Sequence, residues 1–306
     1  MNLILTSFNS ILILVLVLFI LSCYFTNKEY KKTTYYQITH HSLLSVRFDV
    51  GRYGEYLTYR YLRNQEANGA KFLFNVYIPK KDGKTSEIDV MMIHPKGVFV
   101  FESKNYSGWI FGSETQKMWT QTLPVGRGRS QKESFYNPVM QNQSHIKHLN
   151  AFLGEYIPTR SVIVFSERCT LKKLQLKSED IYVIKRNQVD QIVNTICNTI
   201  PNEVLNDTEI LNIYNRLYPF TQVSEAVKEQ HIKDIQTKNT DVSASLNTSA
   251  QQQECKNTSG ASNAEKVTLC PWCGGRLVLR TAKRGANIGK QFYGCSNYPK
   301  CKYTYL

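Results

Sequence analysis

Apolar residues run unbroken from Ile11 to Leu21 and, past Ser22, on to Phe25. Counted back to Leu3, with Thr6, Ser7, Asn9 and Ser10 as interruptions, the stretch exceeds the roughly 20 residues a helix needs to cross a bilayer. No Lys or Arg precedes it, whereas Lys28, Lys31 and Lys32 follow it. By the positive-inside rule its C-terminal side faces the cytoplasm. A cleaved signal peptide would carry a basic n-region, and a lipoprotein box ending at Cys23 would place bulky Leu21 at a small-residue position. An uncleaved single-pass anchor over 1–27 is therefore expected, followed by a polar and aromatic juxtamembrane connector over 28–45.

Beyond residue 46 the periodicity changes repeatedly. Glu55, Tyr59 and Leu62 share one face of a helix predicted over 50–64. The run at 71–79 reads as a strand stopped by Pro79, and Asp82-Gly83 marks the next turn. Strands follow at 87–94 and 98–105, separated by Pro95-Lys96-Gly97. Short strands come next around Trp109 and Trp119, then a basic loop, LPVGRGRS, over 123–130. Asn137 with Pro138 announces a helix over 137–154. Strands at 161–166 and 181–185, and helices around 187–199 and 207–218, complete a domain spanning 46–220. Such an order predicts an α/β fold, a mixed sheet flanked by helices. The stretch 221–266 is rich in Ser, Thr, Asn and Gln and reads as a flexible linker. Residues 267–306 form a separate small unit.

Charge sharpens this picture. The 306-residue chain carries a formal net charge of +14, an excess that favours nucleic acid or an anionic membrane as partner. From Lys266 onward there are eight basic residues and no Asp or Glu. Of the eight cysteines, four cluster at the C-terminus; Cys23, Cys169, Cys197 and Cys255 have no framework spacing. A disulfide scaffold is not indicated, and a reducing compartment suits the soluble part.

The two strands at 87–105 carry Asp89, Glu102 and Lys104 in otherwise apolar surroundings. Buried charges are costly unless paired or bound to a metal. Glu102 and Lys104, two residues apart, point to one side of the pleat, and the short turn folds their strand back on Asp89. Neighbouring carboxylates repel unless they share a cation or a proton. Mg²⁺ takes carboxylate oxygens and phosphate oxygens together, so a metal-assisted phosphodiester chemistry fits the set. A plain salt-bridge cluster is the simpler reading of the same residues, and a charge favoured by the helix start is the simpler reading of Glu55. His145 and His148 share a helix face without an evident third ligand and are expected to be ordinary histidines. The GRGR at 126–129 lacks the Lys-Ser/Thr of a P-loop.

The residues GRYGE (51–55), EIDVMMIHPKGVFVFESKNYSGWIFG (87–112), Trp119 and NPVMQNQSHIKHL (137–149) resemble the nuclease-related domain family, known as NERD, over roughly 46–165. That family is similar to the PD-(D/E)xK nucleases. The resemblance implies a restriction-endonuclease-like fold, with active-site carboxylates at Asp89 and Glu102 as Mg²⁺ ligands and Lys104 as the catalytic lysine. It further matches Glu55 to the acidic residue of the first helix and Gln141 to a glutamine of the later one. Ile88 stands where the superfamily has Pro, a position that binds nothing.

Cys270 and Cys273 form a C-x₂-C, and Cys295 and Cys301 a C-x₅-C. Two such pairs in a segment this small predict a structural Cys₄ Zn²⁺ site. Residues 267–306, chiefly through FYGCSNYPKC, resemble the zinc ribbon of type IA DNA topoisomerases, which implies a contact to single-stranded DNA. Phe292, Tyr293 and Tyr298 are expected to stack bases, with Arg280, Lys283, Arg284 and Lys290 on phosphates. The expected function is that of a membrane-anchored Mg²⁺-dependent deoxyribonuclease whose ribbon holds nucleic acid. DNA and RNA are both open as substrates. The alternative is a catalytically inactive nuclease fold that binds nucleic acid or a partner at the membrane.

Overall fold

The computed structural model describes residues 2–126, 129–154, 157–237, 276–281, 291–300 and 304–305. The chain divides into two units, Met1–Thr240 and Asp241–Leu306.

The first unit opens with helix α1 (Asn2–Lys31). It contains one stretch, Leu12–Lys31, long and apolar enough to cross a membrane, with mean hydropathy 1.7 and no burial against the protein. Its last turn is different: Tyr30 is buried and donates from its hydroxyl to His41 O at 2.7 Å. Two short helices follow, α2 (Thr34–Thr39) and α3 (Leu43–Phe48), capped by the side chains of Thr33 and Ser42. Tyr35, Ile38 and Val46 are fully buried with Tyr30 in the main core. The stretch expected as a connector is thus a packed part of the domain, because its aromatic rings find apolar partners that a polar composition conceals. The Tyr35 ring, for example, lies 4.8 Å from that of Phe74.

Helix α4 (Val50–Leu62) starts where Asp49 accepts from the Arg52 backbone N–H. A five-stranded sheet follows: β1 (Lys71–Pro79), β2 (Thr85–His94), β3 (Gly97–Lys104), β7 (Thr159–Phe165) and β9 (Ile181–Lys185), in the spatial order β1-β2-β3-β7-β9. The first three strands are antiparallel; β3, β7 and β9 run parallel. Between β3 and β7 the chain forms β4 (Gly108–Ser113), β5 (Met118–Gly126), β6 (Arg129–Tyr136) and α5 (Pro138–Leu153). With β8 (Cys169–Gln175) the first three make a second sheet, in order β6-β5-β4-β8. Most of the expected basic loop therefore belongs to two paired strands. β8 escaped the pattern because it is a polar edge strand, with Lys172 and Lys173 exposed.

Trp119 seals the second sheet against the first, stacking on Phe165 with centroids 6.2 Å apart. Gly112 makes room for it: a Cβ there would sit 2.3 Å from the indole. Helices α6 (Val189–Thr199) and α7 (Asp207–Leu217) complete the core, burying Val193, Ile196, Ile213 and Leu217. A further helix at 225–237 lies inside the stretch expected to be a linker. It docks through His231, which is buried between Thr85, Glu87 and Tyr77. One buried side chain and a helical run of Lys, Glu, Gln and Ile suffice to order what composition averaged over 221–266 had hidden.

In the second unit, β10 (Leu277–Thr281), β11 (Gln291–Cys295) and β12 (Thr304–Tyr305) form a three-stranded antiparallel sheet.

Candidate active site

Three elements converge on the strand that carries Glu102. In β2, Asp89 lies one step beyond the last ladder pair, Val90 with Phe101, and its Oδ2 accepts from the Ser103 backbone N–H at 3.0 Å. The carboxylate thus takes the place of a backbone acceptor where the strands part, and that fixes it beside Glu102. In β3, Glu102 is buried (1% exposed) and Lys104 is half-buried. The Lys104 ammonium donates to Glu102 Oε1 at 2.6 Å and to Gln141 Oε1 of α5 at 3.2 Å. Asn142, the next residue of α5, donates to Val100 O and Ser161 Oγ, tying that helix to β3 and β7. Helix α4 approaches β3 closely because Gly54 has no side chain; a Cβ there would lie 3.1 Å from Ser103 Oγ.

The second oxygen of Glu102 is different. His145 Nε2 lies 3.3 Å from Oε2, off the hydrogen-bonding line, and both atoms are buried with no hydrogen-bond partner. The other ring nitrogen of His145 shares a 2.8 Å hydrogen bond with Ser86 Oγ of β2. His145 is one helical turn beyond Gln141 and belongs to the cluster. An ordinary surface or core histidine is expected from the sequence; the structure places His145 beside Glu102, and the i, i+4 spacing from Gln141 was the available signal.

Glu55, near the start of α4, accepts from Asn75 Nδ2 at 3.1 Å. Asn75 interrupts the β1–β2 ladder between Phe74–Val90 and Val76–Ile88, which sets it across from Asp89. Its φ of 49° is left-handed, a conformation Asn tolerates better than other side chains. Sequence reasoning missed Asn75; an amide set between the apolar runs Phe72–Phe74 and Val76–Ile78 was its trace.

The electrostatics follow from crowding. Burial, and after it the charges of Glu102 and Glu55, raise the Asp89 carboxyl well above the ordinary carboxylate range. Burial likewise lifts Glu55 to about 7, against the opposing Asn75 hydrogen bond. For Glu102 burial works upward too, yet the Lys104 ammonium and His145 win and hold it below the usual value. Burial opposes the charge on Lys104, but Glu102 and Asp89 overcome it and keep the amine more basic than usual. The site therefore gathers carboxyls of opposite tendency around one cation. Among the described residues no group of three or more His, Cys, Asp and Glu side chains is placed to hold a metal ion by itself. Two carboxylates and a buried oxygen without a donor fit Mg²⁺, which binds through one or two carboxylates plus water and substrate phosphate.

In the ribbon unit, Cys295 ends β11, buried against Leu277, and its Sγ accepts from the Asn297 backbone N–H at 3.4 Å. Backbone N–H donation to sulfur suits a thiolate ligand, whose charge it offsets. Arg280 and Phe292 are cross-strand partners, and Tyr298 is exposed. Tyr293 instead packs, half-buried, on the small core of Leu277 and Cys295. Cys270, Cys273, Cys301, Lys283, Arg284 and Lys290 lie outside the described residues.

Comparison with known proteins gives these two sites their context. The family model for the nuclease-related domain matches residues 50–166, and that for the topoisomerase DNA-binding C4 zinc finger matches 267–306. An uncharacterized protein of Bacillus anthracis is 31% identical over 188 residues, 61% of this chain and 84% of its own. DNA topoisomerase 1 of Methanocaldococcus jannaschii is 55% identical over 40 residues, and that of Thermoplasma acidophilum 61% over 36. These cover 13% and 12% of this chain and only 5% and 4% of the topoisomerases. No solved structure matches. The hairpin carboxylates fall inside the first matched segment and the clustered cysteines inside the second: the chain belongs to the nuclease-related domain family and ends in a zinc ribbon of the topoisomerase type.

Proposed function

We propose that the protein is a membrane-anchored, metal-dependent nuclease that hydrolyses phosphodiester bonds of DNA on a restriction-endonuclease-like core, with a ribbon that binds nucleic acid. The observation that carries the reading is the gathering of Asp89, Glu102 and Lys104, with one buried oxygen of Glu102 left without a donor. Asp89 and Glu102 are the residues to hold Mg²⁺. Bound there, Mg²⁺ would supply activation of water and offset of charge on the phosphodiester. Lys104 supplies a fixed cation for the water or for the charge that develops on phosphorus oxygens. Gln141 holds that ammonium from the helix side, and His145, braced by Ser86, flanks Glu102. Asn75 orients Glu55, whose affinity for a proton near neutrality suits it to exchange one with solvent.

In the ribbon, Cys270, Cys273, Cys295 and Cys301 would hold one Zn²⁺. Arg280 with Phe292, and Tyr298, would meet phosphates and bases, with Lys283, Arg284 and Lys290 adding charge. The apolar helix α1 with Lys28, Lys31 and Lys32 at its end supports a single-pass anchor with the domain in the cytoplasm. The test is cleavage of labelled single- and double-stranded DNA, and of RNA, by the full chain in detergent, with Mg²⁺ or Mn²⁺ and with Asp89→Ala alongside. Cleavage lost in Asp89→Ala is expected. Absence of cleavage on every substrate would promote the alternative, a binding protein on a nuclease fold.

A further inference from the structure

Past the end of α1, three large apolar side chains point away from the core. Leu44 is 67% exposed, Phe48 83% and Val50 63%. They are not the loose end of a frayed segment. In the same short helix Val46 is fully buried and Leu43 packs on the core, so α3 has a committed inner face, while Leu44 and Phe48 stand on its outer side with Arg47. The helix is also pinned: Ser42 caps it, and Arg52 Nη1 of α4 donates to Ser45 Oγ at 3.2 Å. Phe48 and Leu44 therefore cannot turn inward without displacing Val46.

Their place relative to α1 says what covers them. Tyr30, in the last turn of α1, is locked into the core, and its hydroxyl bonds to His41 O at 2.7 Å. Residue 41 is thus held at the very end of the apolar helix, and Leu44 follows three residues later. A six-residue helix is about 9 Å long, so the outward face of α3 stays within a lipid headgroup layer's reach of that end. The surroundings carry a basic excess: Lys28, Lys31, Lys32 and Arg47 are exposed there, against Glu29, which pairs with Lys32 at 2.7 Å, and Asp49, which pairs with Arg52 at 3.7 Å. Exposed apolar side chains with a basic excess beside an apolar anchor helix are what an anionic bilayer surface binds.

Resting on the anchored reading of α1, we infer that α3 and the first residue of α4 form a second membrane contact: Leu44, Phe48 and Val50 insert into the headgroup region of an anionic bilayer. The domain is then seated on the membrane instead of swinging from it, and the rigid Tyr30–His41 junction sets its attitude.

The test uses the full chain in phosphatidylcholine–phosphatidylglycerol vesicles with brominated acyl chains. Leu44→Trp and Phe48→Trp are compared with Val125→Trp, an exposed position of β5 in the second sheet, each read as the difference from the parent protein. Flotation with the vesicles after an alkaline wash is scored first. A chain that fails to float defeats the anchored reading and this proposal with it. For a chain that floats, the added tryptophans at 44 and 48 are expected to lose most of their emission to the brominated lipid and to resist aqueous iodide, while that at 125 does the reverse. Equal quenching at all three positions, or iodide access at 44 and 48, overturns the membrane contact and leaves the anchor standing. Shielding at 44 and 48 from both quenchers identifies a protein partner, such as a second copy of the chain, and also overturns it.

Discussion

His145 Nε2 lies 3.3 Å from Glu102 Oε2, and its other nitrogen is braced by Ser86 at 2.8 Å. A histidine held from behind and packed beside one oxygen of a buried carboxylate restricts how that carboxylate can turn. His145→Ala should therefore leave the fold intact and weaken Mg²⁺ binding or cleavage by about 10–100-fold, the usual cost of losing a residue that orients a metal ligand. Ser86→Ala should do the same more mildly, by freeing the ring. Titration of the rate with Mg²⁺ distinguishes this from a surface histidine, whose removal would change neither half-saturating metal nor rate.

Lys104 is the test of division of labour. Asp89→Asn and Glu102→Gln each remove a charge proposed to hold the metal and should abolish cleavage. Lys104→Ala should leave metal binding in place, or tighten it, because a competing cation bonded to Glu102 is gone. It should slow the chemical step by about 10²–10³, the typical loss for one preorganised donor. Calorimetric Mg²⁺ affinity and single-turnover rates read the two effects apart. Undiminished cleavage by Asp89→Asn would falsify the active-site assignment.

Much of this site was legible in the chain. The spacing of Glu102 and Lys104, and the short turn that returns their strand to Asp89, are local facts that period-two geometry converts into proximity. Strand β1 also matched its reading, Lys71–Pro79. What escaped depended on contacts distant in sequence. Asn75 matters because a left-handed residue places it opposite Asp89 and beside Glu55. His145 matters because α5 lands on β3, through Asn142, at one rotation among several. Tyr30 and Tyr35 sit in a polar stretch, and only the assembled core shows that their rings are buried.

Gly112 and Trp119 offer a check on the packing that joins the two sheets. The indole occupies the space a Cβ at 112 would fill, at 2.3 Å, and neither group is the free end of a flexible chain. Gly112→Ala should destabilise the protein by about 1–3 kcal/mol, the range for overpacked cores. A lowered Tm with an altered near-ultraviolet signal from the displaced indole is expected. An unchanged Tm would mean the sheets are not pressed together at this point.

The ribbon predicts a stoichiometry. With Cys295 buried and accepting from Asn297 N–H, and Cys270, Cys273 and Cys301 spaced as two pairs, the full chain should carry one Zn²⁺. Cys295→Ser should lose it while leaving Mg²⁺ binding at the nuclease-related domain unchanged. Binding to single-stranded DNA should fall steeply with salt in the parent and less steeply in Arg280→Ala, by a slope of about one phosphate contact. Elemental analysis and salt titration measure both, and a zinc-free parent protein would end the assignment.

The crowded carboxyls make stability depend on pH in an unusual direction. Burial raises Glu55 to about 7, and burial with the charges of Glu102 and Glu55 raises Asp89 well above its ordinary range. In an unfolded chain both titrate near about 4. Between that value and the folded one the native state binds more protons than the unfolded state, so stability falls as pH rises through this window. Glu102, held low by Lys104 and His145, loses its contribution only on the acid side and does not oppose the trend above about pH 5. In the metal-free protein these carboxyls should therefore contribute a decline in Tm from about pH 5 to 7.5, set against a rise from His41, His94 and His231, which burial holds below the usual histidine value. Glu55→Gln, which keeps an acceptor for Asn75 but cannot ionise, should flatten the decline. Mg²⁺ should oppose it most at the alkaline end, where the cation replaces protons that the carboxyls have already given up, and its affinity should rise with pH. A difference in Tm between the parent and Glu55→Gln that stays constant with pH in the presence of EDTA would show that these carboxyls are not confined together in the way their burial implies.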